Sequence, residues 1–367
     1  MEKGKILIDF FKPEDNEALL DLSHRCVQHG IISVYPDRSP TFDRIHKQID
    51  PESFHVVARH NGIIIGCVGA IFFPVQVGGQ KARAVYMLDF KVDPDYQKGL
   101  TAYRLIKKAI GFLIDNDERI GFATIIKGNV ASHVFTRGRA GFSPSRNLGD
   151  IQINNIIPLR RKKLDPRFKV ENPSEEDIGE IVELYSGFYG NYKIAPYIDE
   201  EIFRFYIMEI EGMGLSNFWV AREKGRIKAI LCSWDENIYK RYMVIKVPPG
   251  MRFVFRGISF LSRFFKMPAS LKPGSPLRQK TLVMLAHDNS IPALKSLVRH
   301  VNNIHLGSEY TILQAHLHRE DPLIGSLGGL FRLKVNVEAH MMTRNFGLAD
   351  TVADKPGPVF FEWPVYI

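Results

Sequence analysis

The sequence predicts a mixed α/β protein in which two similar domains follow one another, each a mostly antiparallel mixed sheet flanked by helices. Three observations favour this fold class. Residues 82–113 read as a strand, a short basic loop and an amphipathic helix. Parts of that pattern recur in the second half of the chain. The length of 367 residues also suits two domains.

The first half begins with a predicted strand at residues 5–10. Pro13 opens a helix that continues to about residue 28, because proline and acidic residues are favourable in a first turn. A second helix is predicted at 40–49. Residues 53–59 and 63–73 form a hairpin around Asn61-Gly62, a sequence that suits a tight turn. A strand at 151–157 is expected to complete this half.

The strand at 82–92 ends at Pro94, which cannot continue a strand ladder. The helix that follows begins near Leu100, and between them lies a loop with Lys98 and Gly99. A helix N-terminus carries unpaired N–H groups and a partial positive charge, so this loop is suited to a pyrophosphate. The alternative interpretation is an ordinary turn between a strand and a helix.

The sequence VDPDYQKG at 92–99 resembles the acyl-CoA-binding motif of the GNAT (Gcn5-related N-acetyltransferase) superfamily. The loop is one residue shorter than in that family, and Thr101 or Ala102 stands where a glycine is usual. A strand at 122–127, a helix opened by Asn129 and the turn Ala140-Gly141-Phe142 follow in the order typical of the family. The resemblance covers about residues 5–160.

The resemblance implies an acyl-CoA, most simply acetyl-CoA, as co-substrate, a small-molecule primary amine as acceptor, and no metal. The donor would be held by residues of the strand, the loop and the next helix: Phe90, Lys91, Val92, Gln97, Lys98, Gly99, Leu100, Thr101, Ala102 and Asn129.

Acyl transfer to an amine also needs a base for the amine and an acid for the leaving thiolate. Asp89 is the predicted base, with an exposed strand carboxylate as the alternative. The tyrosine that the family often uses as acid is missing, since Phe135 and Thr136 occupy its neighbourhood. His133 is the predicted substitute, with a structural histidine as the alternative. Tyr86 and Tyr96 are weaker candidates for the acid.

The segment between the first two helices commonly lines the acceptor site in this fold. The acceptor candidates are therefore Tyr35, Asp37, Arg38 and Phe42, and the acid would suit a cationic amine. A plain polar loop is the alternative interpretation.

The second half repeats the first in outline. Pro173 heads a helix at 174–188 as Pro13 does, and residues 220–225 correspond to 57–62. The predicted domains are residues 1–159, a basic linker at 160–167, and a degenerate second copy at 168–367. The second copy lacks the anion loop, because Asp288 follows its equivalent strand and would repel a phosphate.

The second copy also carries an insertion at about 249–278 that is rich in phenylalanine, arginine and lysine. Its part at 250–267 is predicted to make peripheral contact with a membrane, since interleaved apolar and basic residues suit an interfacial helix. The alternative is a helix that covers its own sheet with its arginines reaching outward.

The net charge of +9 suits an anionic cofactor, an anionic lipid or nucleic acid. Nucleic acid ranks last, because no basic and aromatic stripe lies on a recognisable reading element. The three cysteines are isolated and no signal peptide is evident, so a cytoplasmic location is expected. Two further hypotheses remain beside acetyl transfer: a non-catalytic CoA- or membrane-binding scaffold, and an acyltransferase with a longer acyl donor.

Overall fold

The computed structural model describes residues 5–29, 32–116, 120–126, 144–248 and 272–343. Within these ranges no helix combines the length and the apolar character that crossing a bilayer requires. Most of the predicted insertion lies outside them, including the segment 250–267.

The elements of the first half follow the predicted order, with differences at their ends. Pro13–Asp15 is a short 3-10 turn that leads into the first helix, and the helix predicted at 40–49 is confined to its second part. The elements are β1 (Leu7–Phe10), α1 (Asn16–Arg25), β2 (Ser33–Asp37), α2 (Arg44–Ile49), β3 (Phe54–His60), β4 (Ile63–Val77), β5 (Gln80–Val92), α3 (Thr101–Asp115), β6 (Ile120–Ile126) and β7 (Arg146–Ile156).

The second half repeats this order, which confirms the predicted repeat of the fold. Its elements are β8 (Lys169–Glu171), α4 (Ile178–Tyr189), β9 (Ile194–Pro196), α5 (Glu200–Glu209), β10 (Phe218–Glu223), β11 (Arg226–Trp234), β12 (Arg241–Lys246), β13 (Pro276–Leu277), β14 (Gln279–His287), α6 (Ile291–Ile304), β15 (Ile312–His318) and β16 (Arg332–Thr343).

The strands of both halves join in one mixed sheet, in the order β1-β3-β4-β5-β6-β16-β7-β15-β14-β11-β10-β8, with β9 paired to β4. The two halves exchange their last strands. β16 pairs with β6 of the first half, and β7 pairs with β15 of the second half. The sequence had suggested that β7 completes the sheet of its own half, and this prediction is wrong. A small second sheet, β13-β12-β2, also combines strands of both halves.

The helices divide between the two faces of the sheet. Tyr86, Ile151 and Val337 share one apolar cluster, and α4 and α5 pack on that face. Val85 and Ile156 point to the opposite face by strand alternation, where α3 and α6 pack. Helix α1 packs beside Val57, on the face away from α3. The core thus lies on both faces of a sheet that runs through both halves.

Candidate functional site

A bulge in β5 organises the candidate site. The pairing of β5 with β4 slips between Leu88, which faces Gly69, and Lys91, which faces Cys67. Asp89 takes up the extra residue with φ of 52°, in the left-handed region that aspartate adopts more readily than most residues. The bulge turns the Asp89 side chain onto the face of α1, away from the face that strict alternation would give it.

The described pairing of β5 with β6 ends before the bulge. Their described parallel pairing is limited to two residue pairs, Val85 with Gly121 and Tyr86 with Phe122. β5 then continues to Val92 and β6 to Ile126. We call the region between the two strands beyond these described pairs the opening. The Tyr86 hydroxyl lies 2.5 Å from Thr124 Oγ1 and closes the base of the opening.

The loop after β5 is fixed by hydrogen bonds of Asp93 and Gln97. Asp93 accepts a hydrogen bond from Asp95 N at 3.1 Å, and its carboxylate is neutralised by Arg25 Nε at 2.7 Å. The Gln97 amide donates to the Val92 carbonyl at 3.1 Å. A Cβ built on Gly99 would meet nothing within 4 Å. The loop is therefore uncrowded at Gly99, and Lys98 beside it is exposed.

Helix α3 begins at Thr101 with no side-chain cap and no acidic residue in its first turn. Lys98 and Leu100 beside it are exposed, and Leu100 is 72% exposed. The first N–H groups of the helix are therefore free of a side-chain cap and can donate hydrogen bonds to an anion. The predicted donor residues of the described chain, Phe90 to Val92 and Gln97 to Ala102, surround this opening.

Asp89 is buried among cations. Its carboxylate forms ion pairs with Arg38 and Lys91, and lies 3.3 Å from His55 Nε2. Burial by itself would raise the pKa of Asp89, but the charges of Arg38 and Lys91 and the hydrogen bond from His55 hold that pKa well below its usual range. A carboxylate stabilised in this way is a weak proton acceptor. Its role as base stays a prediction, and these surroundings weaken it.

The predicted acceptor residues fall into two groups. Arg38 and Phe42 are buried next to Asp89, with the Arg38 guanidinium 5.0 Å from the centre of the Phe42 ring. Tyr35 and Asp37 lie instead on β2, which pairs with β12 of the second half. Asp37 forms an ion pair with Arg241 at 2.7 Å. The structure therefore brings only the first group to the bulge.

Other predicted residues are placed as follows. The hydroxyl of Tyr96 lies 3.0 Å from His60 Nδ1, below the loop. Burial, the first cause, raises the pKa of Tyr86, which makes its hydroxyl a weak acid. His133 and Asn129 lie outside the described residues, and their predicted roles stay predictions.

Two histidines of the site were not anticipated. His46 on α2 and His55 on β3 lie with Asp89 so that one ligand atom from each is within 4.8 Å of the others. A Cβ on Gly69 would lie 2.5 Å from His55 Nε2, so the glycine makes room for that ring. The pairing of Gly69 with His55 across the predicted hairpin was the sequence signal that could have indicated this buried histidine. The cluster does not favour a metal ion, because Arg38 and Lys91 already neutralise its carboxylate.

The equivalent place in the second half is filled. Met284 occupies the matching bulge in β14 with φ of 54°, opposite the slip in the pairing of β14 with β11. The Tyr189 hydroxyl donates to the Leu285 carbonyl at 2.7 Å. Asp288 forms an ion pair with Lys228, and Ser290 caps α6 by accepting from Ala293 N. These contacts engage the Leu285 carbonyl and cap α6, although the described parallel pairing of β14 with β15 is also short, at three residue pairs.

Comparisons with known proteins agree with this division. Residues 17–142 match the acetyltransferase (GNAT) family. No curated protein matches the sequence. Among solved structures, N-myristoyltransferase of Saccharomyces cerevisiae with bound myristoyl-CoA is 11% identical, with a TM-score of 0.60 over 93% of this chain and 85% of its own.

Two bacterial structures are similar as well. A GCN5-related N-acetyltransferase from Kribbella flavida is 10% identical, with a TM-score of 0.52 over 95% of this chain and 73% of its own. A probable N-acyltransferase from Enterococcus faecalis is 9% identical, with a TM-score of 0.51 over 94% and 74%. The first part of the chain thus matches the acetyltransferase (GNAT) family over residues 17–142, and most of the chain shares the tandem GNAT-like fold of these structures.

Proposed function

We propose that this protein is an N-acyltransferase that moves an acyl group from acyl-CoA to a primary amine of a small molecule. The observation that carries the proposal is the opening between β5 and β6, which leads to an uncapped helix N-terminus beside Lys98. The match of residues 17–142 to the acetyltransferase (GNAT) family supports the same activity class.

The loop from Gln97 to Ala102 would hold the pyrophosphate of the donor, mainly through backbone N–H groups at the start of α3. The β5 backbone from Phe90 to Val92 would hold the pantetheine arm. In the transfer, the amine nitrogen forms a bond to the thioester carbonyl carbon and the carbon–sulfur bond breaks. The amine loses a proton and the thiolate gains one.

We propose a positioning role for Asp89 as the alternative to its role as base. Its carboxylate holds Arg38, Lys91 and His55 around the bulge, and so fixes the strand that meets the thioester. His133 remains the proposed acid and Asn129 a proposed contact of the pantetheine arm. Tyr35, Asp37, Arg38 and Phe42 remain the proposed acceptor residues.

The length of the acyl chain is a second part of the proposal. Acetyl-CoA is the simplest donor, but the yeast N-myristoyltransferase with a similar fold binds myristoyl-CoA. A donor with a longer acyl chain is therefore the alternative to acetyl-CoA.

The test is thiol release from acyl-CoA species of increasing chain length, with a panel of small amines. Gly99→Glu places a carboxylate at the pyrophosphate position and should abolish release. Gly99→Ala is the matched control and should retain it, because the added methyl group meets no atom within 4 Å. Equal rates in the two variants would contradict the proposed donor site.

A non-catalytic acyl-CoA-binding scaffold is the second candidate. The observation that favours it is the complete engagement of Asp89 by cations, which removes the best base of the described residues. Donor binding without thiol release for any amine in the panel would favour the scaffold.

We also propose that the protein works in the cytoplasm and that the insertion at 250–267 touches a membrane. Flotation with liposomes, with and without residues 250–277, tests the second statement. Equal flotation of both proteins, or of neither, would contradict it.

A further inference from the structure

Three segments of the described chain meet at one end of the sheet and carry only positive charge. They are residues 157–164 after β7, helix α6, and residues 328–335 at the start of β16. None of them contains an acidic residue. We call their cations the basic edge patch: Arg160, Arg161, Lys162, Lys163, Lys295, Arg299, Arg332 and Lys334.

Direct contacts hold the three segments together. Asn302 Nδ2 donates to the Arg160 carbonyl at 3.1 Å, and Arg299 Nη1 donates to the Lys163 carbonyl at 2.9 Å. The Lys162 ammonium donates to the Gly329 carbonyl. Arg332 and Lys334 lie opposite Ile156 and Asn154 of β7, on the face that α6 covers. These contacts bring the three segments together, and four of their cations are exposed: Arg160, Arg161, Lys163 and Lys334.

No acid in the described residues forms an ion pair with any of the eight cations. Arg299 Nε is buried without a hydrogen-bond partner among the described atoms. Burial lowers the pKa of Lys162, and the charges of Arg160 and Arg299 lower it further. The adjoining Asp165 is paired with Arg167 at 2.7 Å. The eight like charges therefore repel one another, and a polyanionic surface would relieve that repulsion.

The patch lies at the same edge of the sheet as the donor loop. β5 and β6 are parallel, and β16 is antiparallel to both β6 and β7. β7 therefore runs in the direction of β5, and their ends, Val92 and Ile156, share one edge. In the order β5-β6-β16-β7, three strand spacings separate the two strands sideways, which is about 14 Å, and β7 extends further along the strand direction than β6 does. Lys98 and the exposed Leu100 thus stand on the same rim as the patch.

We propose that the basic edge patch docks on an anionic lipid bilayer and presents the mouth of the donor opening to the membrane surface. A bilayer needs clustered cations with no fixed hydrogen-bond geometry, as this patch offers. Nucleic acid fits less well, because base recognition would need exposed aromatic rings among the cations. The aromatic residue nearest in sequence, Phe331, alternates with Arg332 and so points away from the patch.

The experiment is co-sedimentation of the full chain with phosphatidylcholine vesicles, prepared with and without phosphatidylglycerol. We expect binding only to the anionic vesicles, with a loss as salt is raised. Arg160→Glu/Lys163→Glu changes two exposed cations and leaves residues 249–271 intact. Since each cation near such a surface contributes about fivefold, the partition coefficient should fall at least about twentyfold.

The matched control is Lys12→Glu/Lys224→Glu. Both lysines are exposed, belong to no ion pair in the described chain, and lie at the opposite edge of the sheet. This variant has the same net charge as the patch variant and should bind anionic vesicles as the native protein does. Circular dichroism and acyl-CoA binding verify that both variants are folded.

Three outcomes would overturn the proposal. The first is the absence of binding to anionic vesicles by the native chain. The second is equal binding by the two variants, which would assign any binding to net charge or to another segment. The third is binding of duplex DNA that depends on Arg160 and Lys163, together with vesicle binding that does not.

Discussion

The two halves have the same fold and differ in the residues that follow the bulge before the main helix. Both carry a bulge at the same place in the strand before the main helix, at Asp89 in β5 and at Met284 in β14. After the bulge, the first half has an eight-residue connection and an uncapped helix, whereas the second has Asp288, Asn289 and the capping Ser290. The fold alone therefore does not make a donor site. The proposed donor site depends on the loop chemistry and on the uncapped start of α3.

The largest expected effect is on stability, because the bulge of the first half contains a buried charge and the bulge of the second half does not. Asp89→Ala leaves Arg38 and Lys91 buried without their counter-charge, and should lower the free energy of unfolding by about 3–5 kcal/mol. Met284→Leu, a change of similar volume in an apolar site, should cost less than about 1.5 kcal/mol. Urea unfolding of both variants measures the difference.

Two further outcomes bear on this prediction. Asp89→Leu combined with Arg38→Met should recover part of the loss, because one buried charge no longer lacks its partner. A cost for Asp89→Ala no greater than that for Met284→Leu would show that the ion pairs do not hold the bulge.

A smaller loss of stability is expected when the contact of Tyr189 with β14 is removed. Tyr189→Phe removes the hydrogen bond to the Leu285 carbonyl and leaves that buried oxygen with one partner fewer, which should cost about 1–3 kcal/mol. The affinity for acyl-CoA should not change, since the proposed donor site lies in the first half. Thermal unfolding and donor titration check the two statements. A second donor site in this variant would mean that the tyrosine alone closes the second half.

The smallest effect concerns pH and has opposite signs in the two halves. Burial, opposed by hydrogen bonds from Leu323 N and Tyr192, raises the pKa of Asp321 to about 6. A carboxyl whose folded pKa is raised stabilises the protein as pH falls, so stability should increase by about 1 kcal/mol between pH 7 and pH 5. Asp89, whose folded pKa is lowered, contributes stability above about pH 4 that is lost as pH falls further.

Denaturant unfolding at pH 7 and pH 5 measures the increase, and Asp321→Asn is the control that should remove it. An equal increase in the native protein and in this variant would assign the effect to other groups.

The sequence predicted local features well and long-range ones poorly. The β5 strand, the basic loop and α3 were readable because their signals lie within a few residues of each other. The exchange of β7 and β16 could not be predicted, because no local pattern indicates which distant strand pairs with each of them.

The surroundings of Asp89 were also beyond local patterns. His55 is 34 positions away, and a bulge with a non-glycine residue carries no clear sequence mark. The bulge turns Asp89 from the face covered by α3, where strict alternation would place it, to the face of α1, where it is buried among cations.

The central statement is that the chain holds one acyl donor, in its first half. Calorimetric titration of acyl-CoA into the native protein, Gly99→Glu and Pro292→Glu tests it most directly. Pro292 is exposed in the first turn of α6, so Pro292→Glu places a carboxylate at the matching helix of the second half. One donor per chain, lost in Gly99→Glu and retained in Pro292→Glu, is the predicted result. Two donors per chain, or loss only in Pro292→Glu, would contradict it.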